Sequence, residues 1–149
     1  MVGGGPEEAS LRSHATATGV SGAIEWAGFV PHDRIAHEYA RATVLVLPSR
    51  GQAEGLGLVL AEALLCGTAV VATPAGGIPE VVIDEVTGLL ARDGDPVHLA
   101  AQLERLLRDE TLRRRLVEGG AAHVRSRFGS GASVSAFETV YRSVIRDDS

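Results

Sequence analysis

The stretch "AEGLGLVLAEALLCGTAVVATPAGGIPEVV", residues 53–82, decides the fold. A glycine-broken turn, "EGLG", leads into a run from Leu58 to Cys66 that is apolar at every position except Glu62, and the β-branched run "TAVVATP" follows directly. A helix that is apolar all round is packed between other elements. A short, continuously apolar strand beside it is the mark of a parallel sheet covered on both faces. Outward from here the alternation recurs. "AIEWAGFV", "ATVLVLP" and "TGLLA" predict further short buried strands, and a polar helix is expected over about Glu7 to Thr18. Beyond Asp95 the spacing is helical throughout, in "DPVHLAAQLERLLRD", "ETLRRRLVEGGAAHVRSRF" and "SVSAFETVYRSVIR". Asp95 followed by Pro96 reads as a cap and a first-turn proline, which sets one helix start.

Composition narrows the class. With 149 residues, 45% of them apolar, the chain supports one domain with a real core, expected over 1–149. A net charge of −5 leaves no basic stripe to neutralise phosphates in a row, so nucleic acid is not an expected partner. The single cysteine, Cys66, excludes a disulfide framework and reads as a small apolar side chain. No run reaches the ~18 apolar residues of a membrane span, and no basic-then-apolar leader opens the chain. A cytoplasmic protein is expected. All fourteen basic residues are Arg and none is Lys, which reads as a compositional bias of the source genome.

Glu62 is the residue the helix does not explain. At 100° per residue it stands about 40° from Leu58, between Leu65 and Cys66, with no polar face to join. A carboxylate there must find donors or face a cavity, because burying it unpaired costs several kcal/mol. A structural pair with a core arginine and a ligand site are equally compatible with that requirement. The preceding turn weighs toward a ligand. Gly55 and Gly57 allow a tight bend and close approach, and the free N–H groups of the following first turn make an anion site suited to phosphate. Glu54 must point to one side of such an anion, and Glu62, about 7–8 Å further along the helix, to another. A ligand with phosphates in the middle and hydroxyl-rich groups at both ends suits this arrangement, which describes a nucleotide-sugar.

The run "GFVPHDRIAHEYARATVLVLPSRGQAEGLGLVLAEALLCGTAVVATPAGGIPEVVIDEVTGLLARDGDP" resembles the donor-binding half of the family 4 glycosyltransferases, retaining enzymes built from two Rossmann-like domains in the GT-B architecture. Two glutamates separated by seven residues, here Glu54 and Glu62, are the hallmark of that family, and "LPS", "EALLCGTAVVAT", "GGIPEVV" and "TGLL" match it in order and spacing. The resemblance extends from "VGGGPEE" to the final helix. It implies an α/β fold with a Rossmann-like three-layer parallel sheet, the donor-binding half of a GT-B enzyme, truncated at its N-terminus. It also implies a catalytic role for Glu54, on the hydroxyls of the transferred sugar, and ribose hydroxyls for Glu62. Gly55, Leu56, Gly57 and Leu58 would meet the diphosphate or sugar, and the main chain near Val30 would edge the base. Gly76 and Gly77 would let the donor approach, although from the residues alone "GGIPE" is equally a plain turn into a short helix at Pro79. No metal or other cofactor is expected, since positive groups and helix dipoles stabilise the departing diphosphate in such enzymes.

The resemblance further implies an absent acceptor-binding domain, an absent Arg and Lys pair, and one absent central strand with most of its neighbour. That domain is the expected partner of the final helix, about 131–146, and a possible route to peripheral membrane association. Without the strands the chain is expected to be marginal, or rearranged so that "AIEWAGFV" docks beside "ATVLVL". A non-catalytic nucleotide-sugar-binding remnant or subunit is the alternative. A nicotinamide dehydrogenase is not expected, because Gly3, Gly4 and Gly5 do not make a G-x-G-x-x-G fingerprint after a full strand. Arg113 to Arg115 read as a solvated helix face, and Trp26, Tyr39 and Tyr141 as packing.

Overall fold

The computed structural model describes residues 1–51 and 54–146, which divide into two compact units with the boundary between His37 and Glu38. In the first unit, α1 (Glu8–Ala17) covers the expected polar helix. Arg12 on it bonds Glu8 at 2.9 Å and lies 4.5 Å above the Trp26 ring. "AIEWAGFV" does not form the expected strand. Ser21–Ala23 is a turn of 3-10 helix, and the rest makes one isolated bridge, Val2 to Gly28. The reason is local: Gly28 takes φ +63°, outside extended backbone, and only Met1–Gly3 lies alongside to pair, through Ala27 N–H to Met1 C=O and Gly3 N–H to Gly28 C=O. The helix α2 (His32–Arg41) crosses the boundary between the units.

The second unit holds a three-stranded parallel sheet in the order β1 (Val44–Leu47), β2 (Ala69–Ala72), β3 (Leu89–Leu90). The register runs Val44 to Ala69 and Leu47 to Ala72, then Val71 to Leu89. Each residue of β2 is buried, so both faces of the central strand are covered. Ala69 and Val71 join Leu89, Leu106 and Leu116 in a buried apolar cluster. The residues of β1 are only half-buried, and among the described residues it pairs with β2 alone.

Helices supply the rest. These are α3 (Leu58–Leu65), the short α4 (Ile78–Val81), α5 (Pro96–Arg108), α6 (Glu110–Phe128) and α7 (Ser130–Arg146). Asp95 caps α5 as expected, its carboxylate accepting from the His98 N–H at 2.8 Å. Asp109 caps α6 in the same way through Leu112 N–H. Arg113–Arg115 are more than a solvated face. Arg114 pairs with Glu110 on α6 itself, but Arg113 donates to the Leu106 carbonyl at the end of α5 and Arg115 to the Glu85 carbonyl. None of the described helices is long and apolar enough to cross a membrane.

Candidate functional site

In an open parallel sheet the ligand crevice lies outside the carboxyl ends of the strands. Two loops meet there. One runs from the end of β1 through Pro48 and Ser49 to Glu54 and α3, and the other runs from the end of β2 through Thr73 to Gly77 and α4. The Thr73 hydroxyl donates to the Ser49 carbonyl, and the Gly77 N–H to the Gly55 carbonyl at 2.7 Å. The contact at Gly76 is closer still. It has φ +51°, and a Cβ placed on it would fall 1.7 Å from the Glu54 carbonyl oxygen; one on Gly77 would fall 2.6 Å from that of Gly55. Both glycines therefore serve a backbone-on-backbone approach between these loops, a use that their sequence setting did not reveal. Gly55, in contrast, faces open space.

Gly57 is the residue before α3, buried, in left-handed backbone at φ +70° and ψ +50°. The Leu60 N–H bonds its carbonyl at 2.8 Å, so the N–H groups ahead of it, those of Leu58 and Val59, have no intrahelical acceptor. Leu56 is half-buried and Leu58 is 64% exposed. Val30 lies in the first unit, in the irregular segment between the Gly28 bridge and α2.

Both carboxylates are half-buried, and each is held by one hydroxyl. Ser49 Oγ donates to Glu54 Oε2 at 2.7 Å. Tyr39 Oη donates to Glu62 Oε2 at 2.9 Å. The core arginine considered as a partner for Glu62 is thus replaced by a phenol. Nor is the helix buried all round: Leu60, Ala61, Ala63 and Leu64 face the core, whereas Leu58, Val59 and Leu65 are exposed on the side that carries Glu62 and Cys66. Burial, the Glu62 hydrogen bond and the nearby Glu62 and Cys66 charges raise the Tyr39 phenol to about 12. It stays a donor across the physiological range.

Sequence reading missed Tyr39, Ser49 and Thr73 as site-building residues. Tyr39 acts on a residue twenty-three positions away, a relation that no periodicity carries. Ser49 was visible only as part of "LPS".

A parallel α/β sheet with two hydroxyl-bonded carboxylates near a glycine-led helix N-terminus, at the carboxyl ends of adjacent strands, places these groups at the ligand crevice of a Rossmann-like fold. The family model described as Glycosyl transferases group 1 matches residues 1–123, and the chain belongs to that family. It is 36% identical over 148 residues to N-acetyl-alpha-D-glucosaminyl L-malate synthase of Bacillus anthracis, covering 99% of this chain and 38% of that one. It is 38% identical over 153 residues to D-inositol 3-phosphate glycosyltransferase of Acidothermus cellulolyticus, covering 99% and 33%. Among solved structures, sucrose-phosphate synthase from Thermosynechococcus elongatus superposes with TM-score 0.82 at 29% identity, over 98% of this chain and 38% of that one. HepE of Anabaena in complex with UDP gives TM-score 0.83 at 27% identity, over 95% and 40%. The fold is that of the GT-B glycosyltransferases, and the chain spans at most two fifths of the length of these relatives.

Proposed function

We propose that the chain is the donor-binding part of a family 4 retaining glycosyltransferase, which moves a hexose-like sugar from a nucleoside diphosphate to an acceptor held by a domain outside this chain. The observation that carries this reading is the placement of Glu54 and Glu62, each restrained by a hydroxyl, around the start of α3. The structural relative HepE forms a complex with UDP, which supports a nucleotide as ligand of the fold. In this reading the N–H groups of Leu58 and Val59 stabilise the diphosphate as charge develops on it, with no metal assigned to the step. Glu54 accepts hydroxyls of the sugar and holds the donor while the leaving group departs. Glu62 accepts the ribose hydroxyls, and Gly55, Leu56, Gly76 and Gly77 line the approach.

The acceptor domain would also cover α7, whose Val134, Phe137 and Tyr141 are exposed at 57%, 67% and 66%. Without it, this chain is proposed to bind donor but not to turn over, and to act in the cytoplasm. The alternative is a non-catalytic nucleotide-sugar-binding remnant, or a subunit that needs a separate acceptor domain. Co-purification with a separately encoded acceptor domain would separate the two.

Titration of the chain with UDP, GDP, ADP and NAD, read by ligand-observed NMR, tests the proposal. One nucleoside diphosphate should bind and lose about tenfold or more in affinity on Glu62→Gln, the worth of a hydrogen bond to a charged acceptor. Binding of NAD alone, or of a nucleoside diphosphate with equal affinity by both proteins, contradicts it.

A further inference from the structure

Tyr39 is 6% exposed, yet it spends its hydroxyl on a carboxylate standing on the half-open side of α3. Its own position is clasped twice. The carbonyl accepts the Ala42 N–H at 2.9 Å, closing the end of α2, and it accepts the hydroxyl of Thr68, which is buried just ahead of β2. The Thr68 bond ties the Tyr39 backbone to the segment that leads into β2. Glu62, by contrast, is a flexible side chain between exposed Leu58 and Leu65, and Tyr39 is the one side chain among the described residues that donates to it.

The geometry points to Tyr39 as the positioning residue for Glu62: its hydroxyl takes up Oε2 and holds the carboxylate so that Oε1 is left to accept the vicinal hydroxyls of a bound ribose. The inference rests on the donor-site reading above. It gives the buried tyrosine a purpose that packing alone does not supply, because a phenylalanine would fill the same space without the donor. Held in advance, the carboxylate loses less rotamer freedom when ligand arrives, which is how preorganisation raises affinity. Tyr39 touches no substrate and is not a catalytic residue.

The test is a double-mutant cycle on the full chain with UDP as probe, using wild type, Tyr39→Phe, Glu62→Gln and the double variant, each checked for cooperative unfolding. Tyr39→Phe should weaken UDP about fivefold to tenfold in the wild-type background and less than about twofold once Glu62 is Gln. It should leave the affinity for 2′,3′-dideoxy-UDP unchanged. Equal losses in both backgrounds, or for both nucleotides, overturn the positioning role and mark Tyr39 as structural. A second measurement needs no ligand: in an absorbance titration, Glu62→Gln should lower the Tyr39 midpoint from about 12. An unchanged midpoint overturns the coupling. If the titration couples the pair but wild type binds none of UDP, GDP or ADP, the donor-site reading fails separately, and the pair is a structural hydrogen bond.

Discussion

Ser49 Oγ donates to Glu54 Oε2 at 2.7 Å, so the residue just past the end of β1 holds the carboxylate at the mouth of α3. The carbonyl of Ser49 is itself tied to Thr73 beyond β2, which couples Glu54 to both strands. Replacing Ser49 with Ala should therefore loosen Glu54 while leaving the core untouched. With Glu54 on the sugar, UDP-glucose should bind about fivefold more weakly and UDP within about twofold of wild type, both measured by calorimetric titration. Matched losses for both ligands would show that Ser49 supports the loop and not the carboxylate.

A glycine from each of the two loops, Gly76 and Gly55, should respond very differently to alanine. Gly76→Ala puts a Cβ 1.7 Å from the Glu54 carbonyl oxygen in left-handed backbone, so the two loops must part. A loss of roughly 2 kcal/mol or more in urea unfolding is expected, together with loss of nucleotide binding. At Gly55 a Cβ meets nothing within 4 Å, and the same change should cost less than about 0.5 kcal/mol. Equal stability of the two variants would mean that the loops are not packed as described.

Alkaline pH should destabilise the fold through Tyr39. Its folded pKa of about 12 lies above the ordinary 10.0, raised first by burial and then by Glu62, so the folded state keeps a proton that the unfolded chain releases. The resulting stability is complete below pH 10 and lost as pH rises through about 12, a change on the order of 2–3 kcal/mol. Tyr39→Phe should abolish this part of the alkaline loss, as measured by urea midpoints at about pH 9 and about pH 11.5. Parallel losses in both proteins would show that the phenol is not the group responsible.

Gly120, in the interior of α6, should reverse the usual helix rule. Alanine there ordinarily gains about 1 kcal/mol of helix propensity. Here a Cβ would stand 2.5 Å from Leu64 Cδ2 and 2.9 Å from the Thr87 carbonyl oxygen, at the contact that seats α3. Gly120→Ala should lose about 1–3 kcal/mol in thermal or urea unfolding. A stabilised variant would show that α3 and α6 can separate without cost.

The order of elements was legible in the chain because each obeys a local period or cap. "TAVVATP" became β2, Asp95 began α5, and the two glutamates fell on either side of a glycine-led helix start, all within reach of their own neighbours in sequence. "AIEWAGFV" shows the limit of that legibility: its apolar character suits a strand, but a strand exists only where a second backbone lies alongside, and here Met1–Gly3 supplies a single bridge. The helix from Leu58 was read as buried on every side because hydropathy counts side chains and not the elements that cover them; the side bearing Glu62 is the one left open. Tertiary structure alone determined that the Tyr39 hydroxyl holds Glu62, and why Gly76 and Gly77 must be glycines. Both depend on atoms from segments twenty or more residues apart that meet only after β1 and β2 have paired.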